Sequence, residues 1–139
     1  MRRTQAEACD YNTMRFQKHF TVEEARALLP ELRQIFKDAH VRHQRVREAD
    51  TKLGELQKKT GDDLGGPQVS GMFHDLLQMN AQLRRLEKLG VQVKEFDRGL
   101  IDFPHLREGR EVFLCWELDE DDIEFWHDLD TGYAGRERL

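Results

Sequence analysis

The apolar residues of this chain follow a helical period as far as Leu89 and a strand period after Gly90. That single change of period restricts the fold more than any other feature. Thr21-Val-Glu-Glu24 reads as a capping box, in which a threonine hydroxyl and a glutamate carboxylate satisfy each other's backbone amides. A heptad then runs through Ala25, Leu32, Ala39, Val46 and Leu53. Its second seam is Leu28, Ile35, Ala49 and Leu56, widened by Leu29 and Phe36. Pro30 has no N–H to offer the carbonyl of Arg26, which predicts a kink or a short helix followed by a long one. The stretch TGDDLGGP at 60–67 ends the helix. A second helix carries Val69, Met72, Phe73, Leu76, Met79, Leu83, Leu86 and Leu89. Helix over 31–60 would extend about 45 Å at about 1.5 Å per residue, so the two helices are expected to fold back as an antiparallel hairpin.

Beyond Gly90, Val91–Phe96 alternates as a strand and Asp97-Arg-Gly99 is a hairpin turn signal. Leu100–Phe103 reads as a short strand closed at an edge by Pro104, and HLREGR as a loop. Glu111–Leu118 and Ile123–Leu129 read as strands flanking the acidic turn DEDD at 119–122. The expected fold is therefore α+β: a long antiparallel helical hairpin followed by a small antiparallel β-meander of three to four strands. Residues 1–19 are expected to form a poorly ordered extension, with Met14 an alternative start. Residues 20–139 are expected to form one α+β domain, the hairpin over 20–90 and the meander with its tail over 91–139.

Composition narrows the setting. The 139 residues suit one domain, and 35% are charged with a mean hydropathy of −0.78, which fits long solvated helices. No run approaches the roughly 18 apolar residues of a membrane span. There is no secretory leader pattern, and Cys9 and Cys115 have no ligand-type spacing, so a reducing cytoplasmic location is expected. Net charge is −5, and residues 111–139 hold ten Asp or Glu against two Arg. Nucleic acid is an unlikely partner for so acidic an end; the basic run HVRHQRVR at 40–47 is where a phosphate backbone would be tracked.

Three stretches carry a family resemblance: FTVEEARALLP, GVQVKEFDRGLIDFPHLREGREVFLCWELDEDDIEFWH and GYAGR. The chain resembles a family of uncharacterised prokaryotic proteins, the domain of unknown function 2203. The likeness extends over 20–139 and is most specific over 90–136. It implies the domain layout and no activity.

Candidate chemistry is sparse. His40 and His43, three apart on one helix face, form a possible metal pair, with Glu87 from the second helix as third ligand if the hairpin folds about 61–66. Against this, both histidines read chiefly as solvated surface. The DEDD turn with Asp128 and Asp130 reads as a solvated hairpin turn rather than a Ca²⁺ or Mg²⁺ loop. Cys115 reads as a buried structural thiol on the sheet face opposite Trp116. The ending WHDLDTGYAGRERL supplies aromatic walls, cations and an imidazole. Together with its neighbours it gives a candidate ligand site of Asp102, Arg110, Trp116, Trp126, His127, Tyr133 and Arg136. The same residues also suit plain packing. Order is expected to Arg136, with Glu137–Leu139 fraying unless a neighbouring subunit holds them.

No nucleophile, base and orienting group come together, so no catalytic residue is assigned and no cofactor is expected. The expected function is a cytoplasmic, non-enzymatic module that self-associates as a dimer through its helical hairpin and takes a protein partner. The alternative is a small-molecule or anion-binding protein, or an enzyme, using Arg110, Trp116, His127, Tyr133 and Arg136.

Overall fold

The computed structural model describes residues 14–60 and 67–139, with the backbone alone at 59–60 and 67–68. The chain divides into two compact units, one formed by Pro30–Leu89 and the other by the described residues up to Leu29 with Gly90–Leu139. Helix α1, Val22–Thr60, runs through the boundary, and α2 spans Pro67–Leu89.

At the start of α1 the Thr21 hydroxyl accepts the Glu24 N–H at 3.1 Å, as the capping box requires. Of the kink or split expected at Pro30, the split does not occur: the helix runs through it. A proline inside a helix costs about 3 kcal/mol. Here its ring sits on an exposed position of a helix whose other bonds remain available to offset that cost. The buried stripe of α1 is Ala25, Leu29, Leu32, Phe36 and Ala39; Leu28 and Ile35 lie only half-buried at its margin.

Within the hairpin unit the helices pack antiparallel, and polar pairs set their register. Glu31 meets Arg85 at 2.7 Å, Asp38 accepts from Gln82, and Arg42 bonds Asp75 at 2.9 Å. Arg42 first, and Gln82 second, hold the Asp38 carboxyl below its ordinary pKa. These pairs put His40 opposite the Asp75–Gln82 stretch and His43 just beyond Asp75, whereas a symmetric fold about 61–66 would place them opposite Leu83–Glu87. The register follows side-chain pairing, not equal arm lengths.

The second unit contains a five-stranded antiparallel meander in the order β1 Gln92–Glu95, β2 Leu100–Arg107, β3 Arg110–Trp116, β4 Phe125–Asp128 and β5 Glu137–Arg138. Two features were not expected from sequence. First, β2 continues through Pro104 to Arg107. The Pro104 carbonyl accepts the Phe20 N–H at 2.7 Å, so its nitrogen faces the same side, away from the β3 ladder, and the missing donor leaves that ladder intact. The strand then turns at Glu108 and Gly109, both at positive φ (54° and 78°), a primed two-residue hairpin turn. Second, the tail supplies β5, paired with β4, and the Leu139 N–H reaches the Glu124 carbonyl at 2.9 Å.

Alternation sorts the strands into two faces. One holds Ile101, Phe103, Val112, Leu114, Trp116 and Trp126, all buried, and this unit's core also includes Phe20, Ala25, Leu29 and Ile123. The other carries Asp102, Phe113, Cys115 and His127. The segment ahead of α1 also reaches this second face. Phe16 packs on Phe113 at 5.3 Å between ring centres, and the Arg15 and Phe16 amides donate to the Glu111 carboxylate.

Candidate functional site

The second sheet face holds a cavity of about 190 Å³. Asp102 of β2, Cys115 of β3 and His127 of β4 meet at it, with Lys94, Phe113 and Tyr133 around them. The strand ladders bring the three together. Asp102 is the cross-strand partner of Cys115, and His127 pairs with Phe113, two residues along the same face.

His127 is 2% exposed, and its ring nitrogens face two different acceptors. Nε2 lies 3.1 Å from each Oδ of Asp102, and Nδ1 donates to the Asp128 carbonyl at 2.7 Å. With Nδ1 donating to that carbonyl, Nε2 is the ring atom turned to the Asp102 carboxyl across a buried hydrogen bond. Burial by itself favours neutral imidazole, but the hydrogen bond to Asp102, the carbonyl of Asp128 and the Asp102 charge outweigh it. The His127 pKa is raised.

The Cys115 thiol is pushed up to about 12, first by burial and then by the negative charge of Asp102. A thiol held there is no nucleophile near neutrality, and Nε2 of His127 is turned to Asp102 instead of serving it as a base. The group can, however, present ligands. One donor atom each from Asp102, Cys115 and His127 lie within 4.8 Å of one another, and all three residues are buried.

The tail turn forms part of the cavity wall. Gly132 adopts φ 63°, ψ −164° ahead of a short 3₁₀ turn, Tyr133–Gly135. A Cβ at Gly135 would meet the Thr131 side chain at 2.5 Å, so the turn closes on a glycine. Arg136 makes two hydrogen bonds to the Glu120 carboxylate, at 3.0 and 2.8 Å. Its guanidinium also lies 3.9 Å from the Phe125 ring centre and 4.6 Å from that of Tyr133. Tyr133 is covered on another side by Arg98 at 4.4 Å and donates to Glu117 at 3.3 Å. The tail therefore clasps its own sheet.

The residues expected to form one site are thus divided. Asp102, His127 and Tyr133 line the cavity, and Arg136 stacks on Tyr133 from its pairing with Glu120. Trp116 and Trp126 lie on the opposite face, where the Trp116 indole donates to the Glu120 carbonyl at 3.0 Å. Arg110 pairs with Asp128 and lies 5.9 Å from the Trp126 ring centre. In the hairpin unit, His40 packs edge-on against Phe36 at 5.9 Å, and Glu87 is exposed. The acidic turn is clamped by Glu120 to Arg136 and by Asp122 to Arg26.

Sequence reasoning kept Cys115 apart from Asp102 and His127. The signal that joins them is the Glu108-Gly109 turn, because a two-residue hairpin there sets Asp102 opposite Cys115.

A family described as an uncharacterized conserved protein, DUF2203, matches residues 18–139, and the chain belongs to that family. Neither the curated proteins nor the solved structures contain a significant match. Among the described residues, no helix is long and apolar enough to cross a membrane.

Proposed function

We propose that this protein is a non-enzymatic, cytoplasmic interaction module that self-associates through its helical hairpin. One observation carries the reading: α2 leaves Val69, Phe73, Leu76, Leu77 and Leu83 exposed, with Phe73 at 62%. At helical spacing these five fall on one arc of about 120°, beside the face that buries Asp75 and Leu86. Asn80, Arg84 and Glu87, also exposed, lie inside that arc. A second copy is the occupant that suits it: the two stripes would cover each other, and the two Asn80 amides would pair and set the register, as single asparagines do in helical bundles. A buried free thiol at Cys115 suits a reducing compartment. Light scattering on the untagged full chain at micromolar concentration tests the reading. A dimer is expected, with Phe73→Asp and Leu77→Asp driving it to monomer; a monomeric wild type removes the reading.

A second reading, a small-ligand-binding protein, is favoured by the cavity at the buried Asp102–His127 pair. Native mass spectrometry of the untagged protein tests it. A retained mass that Tyr133→Ala abolishes is expected, and a bare polypeptide mass with no shift on ligand screening counts against it.

A further inference from the structure

We propose that Asp102, Cys115 and His127 form a binding site for one transition-metal ion of the Zn²⁺ type, with a fourth coordination position open to the cavity. The proposal narrows the second reading above to a class of ligand. Three adjacent strands supply the donors, so the ladders of β2, β3 and β4 preset their spacing without any help from a flexible loop. The donor atoms lie within 4.8 Å of one another, and Nε2 of His127 is 3.1 Å from the Asp102 oxygens. Ligands about 2.0–2.3 Å from a tetrahedral ion stand about 3.3–3.8 Å apart, so shifts of at most about 1 Å would close the three donors on one ion.

The donor set selects the class of metal. A thiolate, an imidazole and a carboxylate together suit Zn²⁺ and its neighbours, whereas Ca²⁺ and Mg²⁺ require oxygen alone. The histidine is also oriented as a ligand. Its Nδ1 donates to the Asp128 carbonyl at 2.7 Å, which leaves Nε2 as the atom turned to the cluster. A second hydrogen bond of this kind is what commonly holds a metal-binding imidazole in its tautomer.

Charge balance favours the loaded site. A divalent ion with a carboxylate, a thiolate and a neutral imidazole carries no net charge, so no bare charge is left in the sheet, which would be costly. Two cations stand close by. Arg136 is already paired with Glu120, and Lys94 lies 5.0 Å from the Phe113 ring centre on the cavity wall. Three protein ligands with an open position describe a site that accepts water or a small anion, and Lys94 is placed to favour the anion.

The test uses untagged full-length protein stripped with a chelator and titrated with Co²⁺ and Zn²⁺. One equivalent of Co²⁺ is expected to give ligand-field bands of tetrahedral intensity and a sulfur-to-cobalt charge-transfer band, both bleached by Zn²⁺. Calorimetry of C115S is expected to show Zn²⁺ affinity at least about tenfold weaker, with the charge-transfer band gone. H127Q should weaken binding comparably, with circular dichroism confirming the fold. A C9S variant and an H40A/H43A variant should bind as the wild type does. Absence of stoichiometric Zn²⁺ binding by the wild type overturns the proposal. So does binding that survives C115S and is lost in C9S or H40A/H43A. If Zn²⁺ fails to bind while native mass spectrometry still shows a retained organic mass lost in Tyr133→Ala, the metal proposal falls and the ligand reading stands.

Discussion

The sheet unit and the hairpin unit solve the same burial problem to different degrees. The sheet unit buries Phe103, Leu114 and Trp116 on one face and Asp102, Cys115 and His127 on the other, and ties its loops and tail down with paired charges. In the hairpin unit α1 shows no buried residue after Ala39 among those described, and α2 buries only Asp75 and Leu86. A sheet can be covered on both faces by its own chain's ends. A pair of helices encloses one shared stripe, and whatever lies outside it waits for another surface.

The comparison can be broken most directly by truncating one large side chain in each unit. Trp116 is 0% exposed, so Trp116→Ala should cost about 3–5 kcal/mol, read by urea unfolding. Phe73→Ala at 62% exposure should cost less than about 1 kcal/mol at concentrations where the chain is monomeric. Equal costs for the two would overturn the contrast.

A sharper question is whether polar pairs, more than apolar contact, hold the hairpin. Arg42→Ala removes two charge-assisted bonds and leaves the buried Asp75 with Arg45 at 3.7 Å, so a loss of about 1.5–3 kcal/mol is expected. A change within experimental error would mean that apolar contact alone sets the register.

The tail clasp should be weaker. Arg136→Ala removes the paired bonds to Glu120 and the stacking on Phe125 and Tyr133, with a cost of about 1–2 kcal/mol. Amide exchange at Arg138 and Leu139 should rise in that variant. Unchanged protection would show that β5 pairing needs no side-chain anchor.

The smallest effect concerns the segment ahead of α1. Burial alone would raise the Glu111 carboxyl, but the Arg15 and Phe16 amides and His19 bind it and hold it below 4.5. A depressed folded pKa gives stability that is complete above the unfolded value and is lost as pH falls through the folded one. Protection of the Arg15 and Phe16 amides, measured against their intrinsic exchange rates at each pH, should therefore fall below about pH 4.5, before the sheet unfolds. Glu111→Gln should show the faster exchange already at neutral pH. A variant as protected as the wild type would remove the carboxylate from the account.

Much of this architecture is legible in the residues. The capping box at Thr21, the stripe through Ala25, Leu32 and Ala39, and the alternation after Gly90 are local patterns, and local patterns follow from backbone geometry. The elements that escaped are those decided by a partner. Pro104 reads as a strand end until Phe20 is seen to occupy the side that its nitrogen faces. Glu137 and Arg138 have no strand signature of their own and become β5 because β4 offers an open edge.

By itself, then, the sequence determined that the chain is α+β, where its first helix begins and its second ends, and that the aromatic ending has the turn glycines to be ordered. Tertiary structure alone decided which distant side chains meet. Asp102, Cys115 and His127 come from three strands, and they converge only because the register of two hairpins puts them on one face at adjoining positions. Strand period is written residue by residue, but register belongs to pairs of strands, and a shift of one residue would turn this cluster to the other face.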